Sequence, residues 1–168
     1  PRKKVAFLSS LRKTVLAADA CKDLTFLPTK ENVKITGRYF QKNDITWVVQ
    51  SGSAVEFYVT GKSAQVVIAG GNSIYNDEKY RTRLGVYVDD EIVLDKIMDQ
   101  LEVTVDLIKE TTEKTVKAKV MLLSEANNGG VGVKSINVNS CSETPIKPVE
   151  KKKLSIEIIG DSITAGYG

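Results

Sequence analysis

The residues best suited to covalent chemistry are Gly160, Asp161 and Ser162. They follow Leu154-Ser155-Ile156-Glu157-Ile158-Ile159, a short apolar run with the composition of a strand buried on both faces. Gly160 permits a sharp turn close against other backbone. Asp161 or Ser162 is placed to cap a helix starting near Ile163. A serine at a strand-to-helix turn exposes its hydroxyl beside free backbone N–H groups, which favour negative charge. Such a position suits a nucleophile and the oxyanion it generates. A serine hydroxyl is nevertheless a weak nucleophile without a base in reach, and the chain contains no histidine.

The block Gly160-Asp161-Ser162-Ile163-Thr164, followed by Gly166-Tyr167-Gly168, resembles the first motif of the GDSL, or SGNH, hydrolases. Upstream phrases extend the likeness. Glu31-Asn32-Val33-Lys34-Ile35-Thr36-Gly37-Arg38, Ser51-Gly52-Ser53-Ala54-Val55-Glu56-Phe57, Thr60-Gly61-Lys62-Ser63-Ala64, Val86-Tyr87-Val88-Asp89-Asp90 and Leu122-Leu123-Ser124-Glu125-Ala126 are similar to the front module of one SGNH branch. That branch is the second family of carbohydrate esterases, a jelly-roll domain fused to an SGNH domain. The resemblance implies removal of acetyl groups from polysaccharides such as xylan or mannan, without a cofactor. It implies that Ser162 is the nucleophile, that its backbone N–H is one oxyanion donor, and that Asp161 orders the turn. It also implies a secreted or cell-surface protein of a bacterium. The family's histidine block and its glycine and asparagine blocks are not in these residues. The expectation is therefore the front portion of an esterase, inactive alone, whose remaining SGNH part is supplied elsewhere, including as a separate chain.

These residues must be positioned by the rest of the chain, which reads as β structure. Val33 and Ile35 alternate with polar residues before Gly37, and Ile45-Thr46-Trp47-Val48-Val49 ends at Ser51-Gly52-Ser53. Val55, Phe57 and Val59 run to Gly61-Lys62. Ala64, Val66 and Ile68 run to Gly70-Gly71-Asn72. Further runs are Leu84 to Val88, Val103 to Leu107, Val116 to Leu122, and Val131 to Val138. Period-two alternation buries one face of each strand, and many short strands of this kind stack as a sandwich or close as a barrel. The fold expected is all-β, a jelly-roll β-sandwich of about eight strands over residues 31–140. A helical or extended segment at 1–30 precedes it. A Pro- and Lys-rich linker follows at 141–153, then the first strand of a truncated α/β domain at 154–168. That apolar strand, without its parallel partners, is expected to be disordered, swapped or paired with another chain.

The N-terminal segment is open to two readings. Arg2-Lys3-Lys4 before Val5-Ala6-Phe7-Leu8 has the start of a secretion signal, but Arg12 and Lys13 interrupt it early. Phe7, Leu8, Leu11, Val15 and Leu16 otherwise fit one face of an amphipathic helix. A net charge of +3 spread along the chain gives no nucleic-acid signature, and no apolar run is long enough to span a membrane. Cys21 and Cys141 read most plainly as two free thiols; the alternative, a single Cys21–Cys141 bridge, requires their Cα atoms within about 7 Å.

Trp47, with Tyr39 and Phe40 nearby, has the chemistry of a sugar-stacking platform, although a tryptophan in a sandwich is ordinarily core, and core is the expectation. The polar stretch Asn72–Arg81, with Tyr75 and Tyr80, is the expected contact loop for sugar or for the catalytic part, set against an ordinary surface connection. Asp89-Asp90-Glu91 has oxygen ligands for calcium but fits a tight hairpin turn better. Asp95 and Asp99 make no glycosidase pair, because nothing places them around a cleft. The competing function is a non-catalytic carbohydrate-binding or structural module, since fold alone does not define activity.

Overall fold

The alternating pattern becomes strand, but in longer and more numerous pieces than the turn residues imply. The structure, a computed structural model, describes residues 21–154 and Gly160. Its strands are β1 (Lys22–Phe26), β2 (Lys34–Thr36), β3 (Tyr39–Lys42), β4 (Ile45–Val48), β5 (Ala54–Gly70), β6 (Arg83–Val88), β7 (Glu91–Ile97), β8 (Glu102–Leu122), β9 (Val131–Ser140) and β10 (Ile146–Pro148). All pairings among them are antiparallel, and the chain order across the sheet is β3-β4-β9-β5-β8-β6-β7. The result is an all-β, jelly-roll-like curl, as expected. The N-terminal helix and the strand leading to Ser162 lie outside the described residues.

Two long strands make the curl. Gly61-Lys62, read as a turn, is instead a bulge within β5, and the separate runs at Val103 and Val116 are one strand, β8. The β5–β8 register passes from Gly61↔Lys114 to Ser63↔Lys109, so Lys62 faces Glu110, Thr111, Thr112 and Glu113. Extra residues on one strand bend it and raise its twist. Before this corner β5 pairs with β2 and β10, while β8 passes on to β6 and β7. Beyond it β5 pairs with β9, which carries β1 and β4. Inward side chains from the two halves then share one core. Phe57, Leu84 and Val120 come from one side, and Ile68, Val133 and Ile136 from the other, all fully buried. Removing this apolar area from water is the main stabilising term.

Strands that the pattern did not mark close the edges. β1 pairs with the end of β9 in the register Lys22↔Ser140, which brings Cys21 opposite Cys141. The two form a disulfide, not free thiols, with Cα atoms 4.0 Å apart. Glu113, at the β8 corner, accepts hydrogen bonds from Ser140 Oγ at 2.8 Å and the Cys141 N–H at 2.6 Å. Within the stretch expected to be a linker, Ile146 is buried and Pro148 pairs with Phe57. Among the described residues no helix is long and apolar enough to cross a membrane.

Candidate functional site

The β3–β4 hairpin builds an exposed aromatic surface. Its two turn residues, Asn43 and Asp44, have φ of 53° and 61°. That conformation is tolerated best by Asn, Asp and Gly, and it matches the twist of a tight hairpin. The turn fixes the register Phe40↔Trp47. Phe40 and Trp47 therefore share a sheet face, with ring centroids 6.2 Å apart and planes 11° from parallel. This is the offset-parallel arrangement that aromatic quadrupoles favour.

The phase of β4 decides which way the indole points. Thr46 and Val48 are fully buried, while Ile45 and Trp47 are half-buried on the other side. Thr46 can occupy the core because its hydroxyl donates to the Pro28 carbonyl at 2.8 Å and accepts from Gln41 Nε2 at 3.2 Å. Trp47 is thus not a core residue, contrary to expectation. Its neighbour on β9 is Gly132, and a Cβ there would meet indole Cδ2 and Cε2 at 3.0 and 3.1 Å. The ring lies across bare backbone instead of standing against a side chain. Phe40, Ile45, Trp47 and Val49, with Gly71 and Gly130, line an open groove of about 380 Å³, and Lys42, Asn43 and Asn72 stand around it.

The loop read as a contact loop meets this groove only at its start, through Asn72. It is two short 3-10 turns, Asn72–Tyr75 and Glu78–Tyr80. Ser73 Oγ lies 2.7 Å from Thr82 Oγ1, which itself donates to the Asn128 carbonyl at 2.8 Å. These buried hydroxyls tie the loop to the 126–130 segment beside Gly130. Tyr75 and Tyr80 are well exposed and do not line the groove; Lys79 Nζ sits 4.7 Å above the Tyr80 ring. Tyr39 faces a different cleft, together with Val33, Ile35 and Pro148.

Asp89, Asp90, Asp95 and Asp99, singled out in the sequence, are each engaged by groups of the protein itself. Asp89 and Asp90 form the β6–β7 turn with φ of 51° and 69°, as expected for a hairpin. Asp89 Oδ1 accepts the Lys117 N–H, and Asp90 is bridged by Lys117 Nζ at 2.8 Å. The hydrogen bond from Lys117 holds the Asp90 carboxyl below its ordinary range. Asp95 takes a two-pronged contact from Arg83 at 2.7 and 2.6 Å, which likewise lowers it, and Lys96 does the same to Asp99. Carboxyls held ionised in this way are poor general acids. Ser162 and Asp161 lie outside the described residues; Gly160 is exposed.

A β-sandwich module bearing an exposed aromatic groove is the class these observations define. Residues 35–148 match the carbohydrate esterase 2 N-terminal family, and the chain belongs to it. Solved structures share the fold. A family two carbohydrate esterase from Cellvibrio japonicus aligns over 71% of this chain and 34% of its own, at 15% identity and TM-score 0.61. A two-domain esterase active on acetylated mannans, co-crystallised with mannopentaose, aligns over 74% and 38%, at 16% identity and TM-score 0.54. A family two carbohydrate esterase from Clostridium thermocellum in complex with cellohexaose aligns over 62% and 30%, at 22% identity and TM-score 0.50. The chain spans about a third of the length of these structures. No curated protein matches it.

Proposed function

We propose that this chain is the N-terminal portion of an SGNH-type carbohydrate esterase that deacetylates a polysaccharide, with Ser162 as its nucleophile. The observation that carries the reading is order along the chain. The family match ends at residue 148, and Gly160-Asp161-Ser162 follows one short lysine-rich stretch later. Ser162 Oγ attacks the acetyl carbonyl carbon as its proton passes to a histidine. That base comes from outside these 168 residues, which contain none. The Ser162 N–H stabilises the oxyanion, and Asp161 and Gly160 shape the turn. Collapse expels the sugar hydroxyl, which takes the proton back, and water then releases acetate from the acyl-enzyme. The 168-residue chain alone is inactive. Cellohexaose and mannopentaose, bound in structures of similar fold, support a β-linked backbone as the substrate class. The Cys21–Cys141 disulfide supports folding in an oxidising compartment, hence export from the cell.

The test is hydrolysis of an acetyl-ester reporter and of acetylated xylan by the longer protein that contains this chain. Ser162→Ala is expected to lower turnover by about 10³-fold or more. Unchanged turnover in that variant would exclude Ser162 as the nucleophile.

A further inference from the structure

We propose that the groove on β3, β4 and β9 is a carbohydrate-binding site of the N-terminal module itself, in which Trp47 stacks against the apolar face of a pyranose ring. The choice of a polysaccharide ligand rests on the esterase reading, whereas the platform rests on geometry alone.

Keeping a tryptophan half out of water forgoes part of the largest hydrophobic stabilisation a side chain offers. Here the fold does so systematically. Thr46 is buried in place of the indole, Gly132 leaves the ring a flat bed, and Phe40, itself 47% exposed, lies parallel beside it. The floor is apolar and planar, and the Lys42 ammonium with the Asn43 and Asn72 amides supplies donors and acceptors around it. A sugar ring has the complementary form, with C–H groups across one face and hydroxyls along its edge. An unstacked nucleobase is also flat, but single-stranded nucleic acid needs a basic track. This groove carries one lysine in a chain of net charge +3. The groove is open to solvent, so a ring of a longer glycan can reach its floor.

Trp47 is the single tryptophan, so its own emission reports the site without a label. The 168-residue chain is titrated with cellohexaose and with mannopentaose. At least one is expected to give a saturable change in tryptophan emission. Affinity electrophoresis in soluble glucomannan then compares variants, each checked by circular dichroism and melting temperature. Trp47→Ala is expected to weaken retention about tenfold or more, with Trp47→Phe retaining part of it. Phe40→Ala and Asn72→Ala are expected to weaken it less, and Tyr75→Ala not at all. The proposal is overturned if neither oligosaccharide changes the emission, or if folded Trp47→Ala is retained as wild type. Should Trp47→Ala not fold, wild-type retention of both Phe40→Ala and Asn72→Ala overturns it instead. Glycan binding without ester hydrolysis by the longer protein would sink the esterase reading and leave this one standing; hydrolysis without Trp47-dependent binding would do the reverse.

Discussion

Trp47 on β4 lies across Gly132 on β9, and the missing side chain of the glycine is what allows the indole to lie flat on the sheet. A Cβ at residue 132 would stand 2.6 Å from Ile45 Cγ2 and 3.0 Å from Trp47 Cδ2. Gly132→Ala is therefore expected to lift both side chains, at a cost of about 1–3 kcal/mol. Tryptophan emission should move to longer wavelength in the folded variant, and denaturant unfolding should give the stability loss. An unchanged spectrum would mean that the glycine does not set the ring's position.

Gly61 has a comparable role at the corner of β5. A Cβ there would meet the Asn139 carbonyl oxygen at 2.5 Å and Val138 Cγ2 at 2.6 Å. The first contact is backbone and cannot move aside cheaply. Gly61→Ala should destabilise by about 1–3 kcal/mol, measured as a lower urea midpoint at constant slope.

The Cys21–Cys141 bridge joins residues 120 apart in sequence and locks β1 onto the end of β9. Closing so long a loop restricts the unfolded chain strongly. Reduction, or Cys141→Ser, is expected to lower stability by about 2–4 kcal/mol. Thermal unfolding with and without dithiothreitol checks this, and equal melting temperatures would contradict it.

Glu113 clamps the same corner. Its carboxyl is held below the usual glutamate range, first by the hydrogen bond from Ser140 and then by the N–H of Cys141. The folded value lies below the unfolded one. The contribution is therefore full above the unfolded value and is lost as pH falls through the folded one. Glu113→Gln should flatten the decline of melting temperature below about pH 5 while lowering the plateau near neutrality. A parallel acid arm in the variant would remove Glu113 from the account.

Much of this fold was legible because period-two alternation is a local consequence of one buried face. Val55, Phe57 and Val59 and, across the core, Val66 and Ile68 are read correctly as inward. The Asp89-Asp90 turn is legible for the same local reason. The long strands were not, because Gly61-Lys62 has turn composition while its physical role is close approach to Asn139. The disulfide was hidden because β1 carries little apolar pattern, with Leu24 and Phe26 its sole large apolar residues. Trp47 was placed on the wrong side because a tryptophan in a sandwich is ordinarily core, and the one-residue choice of phase along β4 decides otherwise. A buried threonine bonded to Pro28 reverses that preference, and such a partner is invisible in the sequence. The serine turn, by contrast, is legible only as a motif.

Under the proposed function Ser162 becomes an activated nucleophile once a histidine is supplied. The direct measurement is labelling of the longer protein with a fluorophosphonate, followed by peptide mass spectrometry. The account predicts one covalent adduct, on the peptide containing Ser162, formed at neutral pH and absent from the isolated 168-residue chain. An adduct on another serine, or none at Ser162 in a protein that hydrolyses acetyl esters, would contradict it.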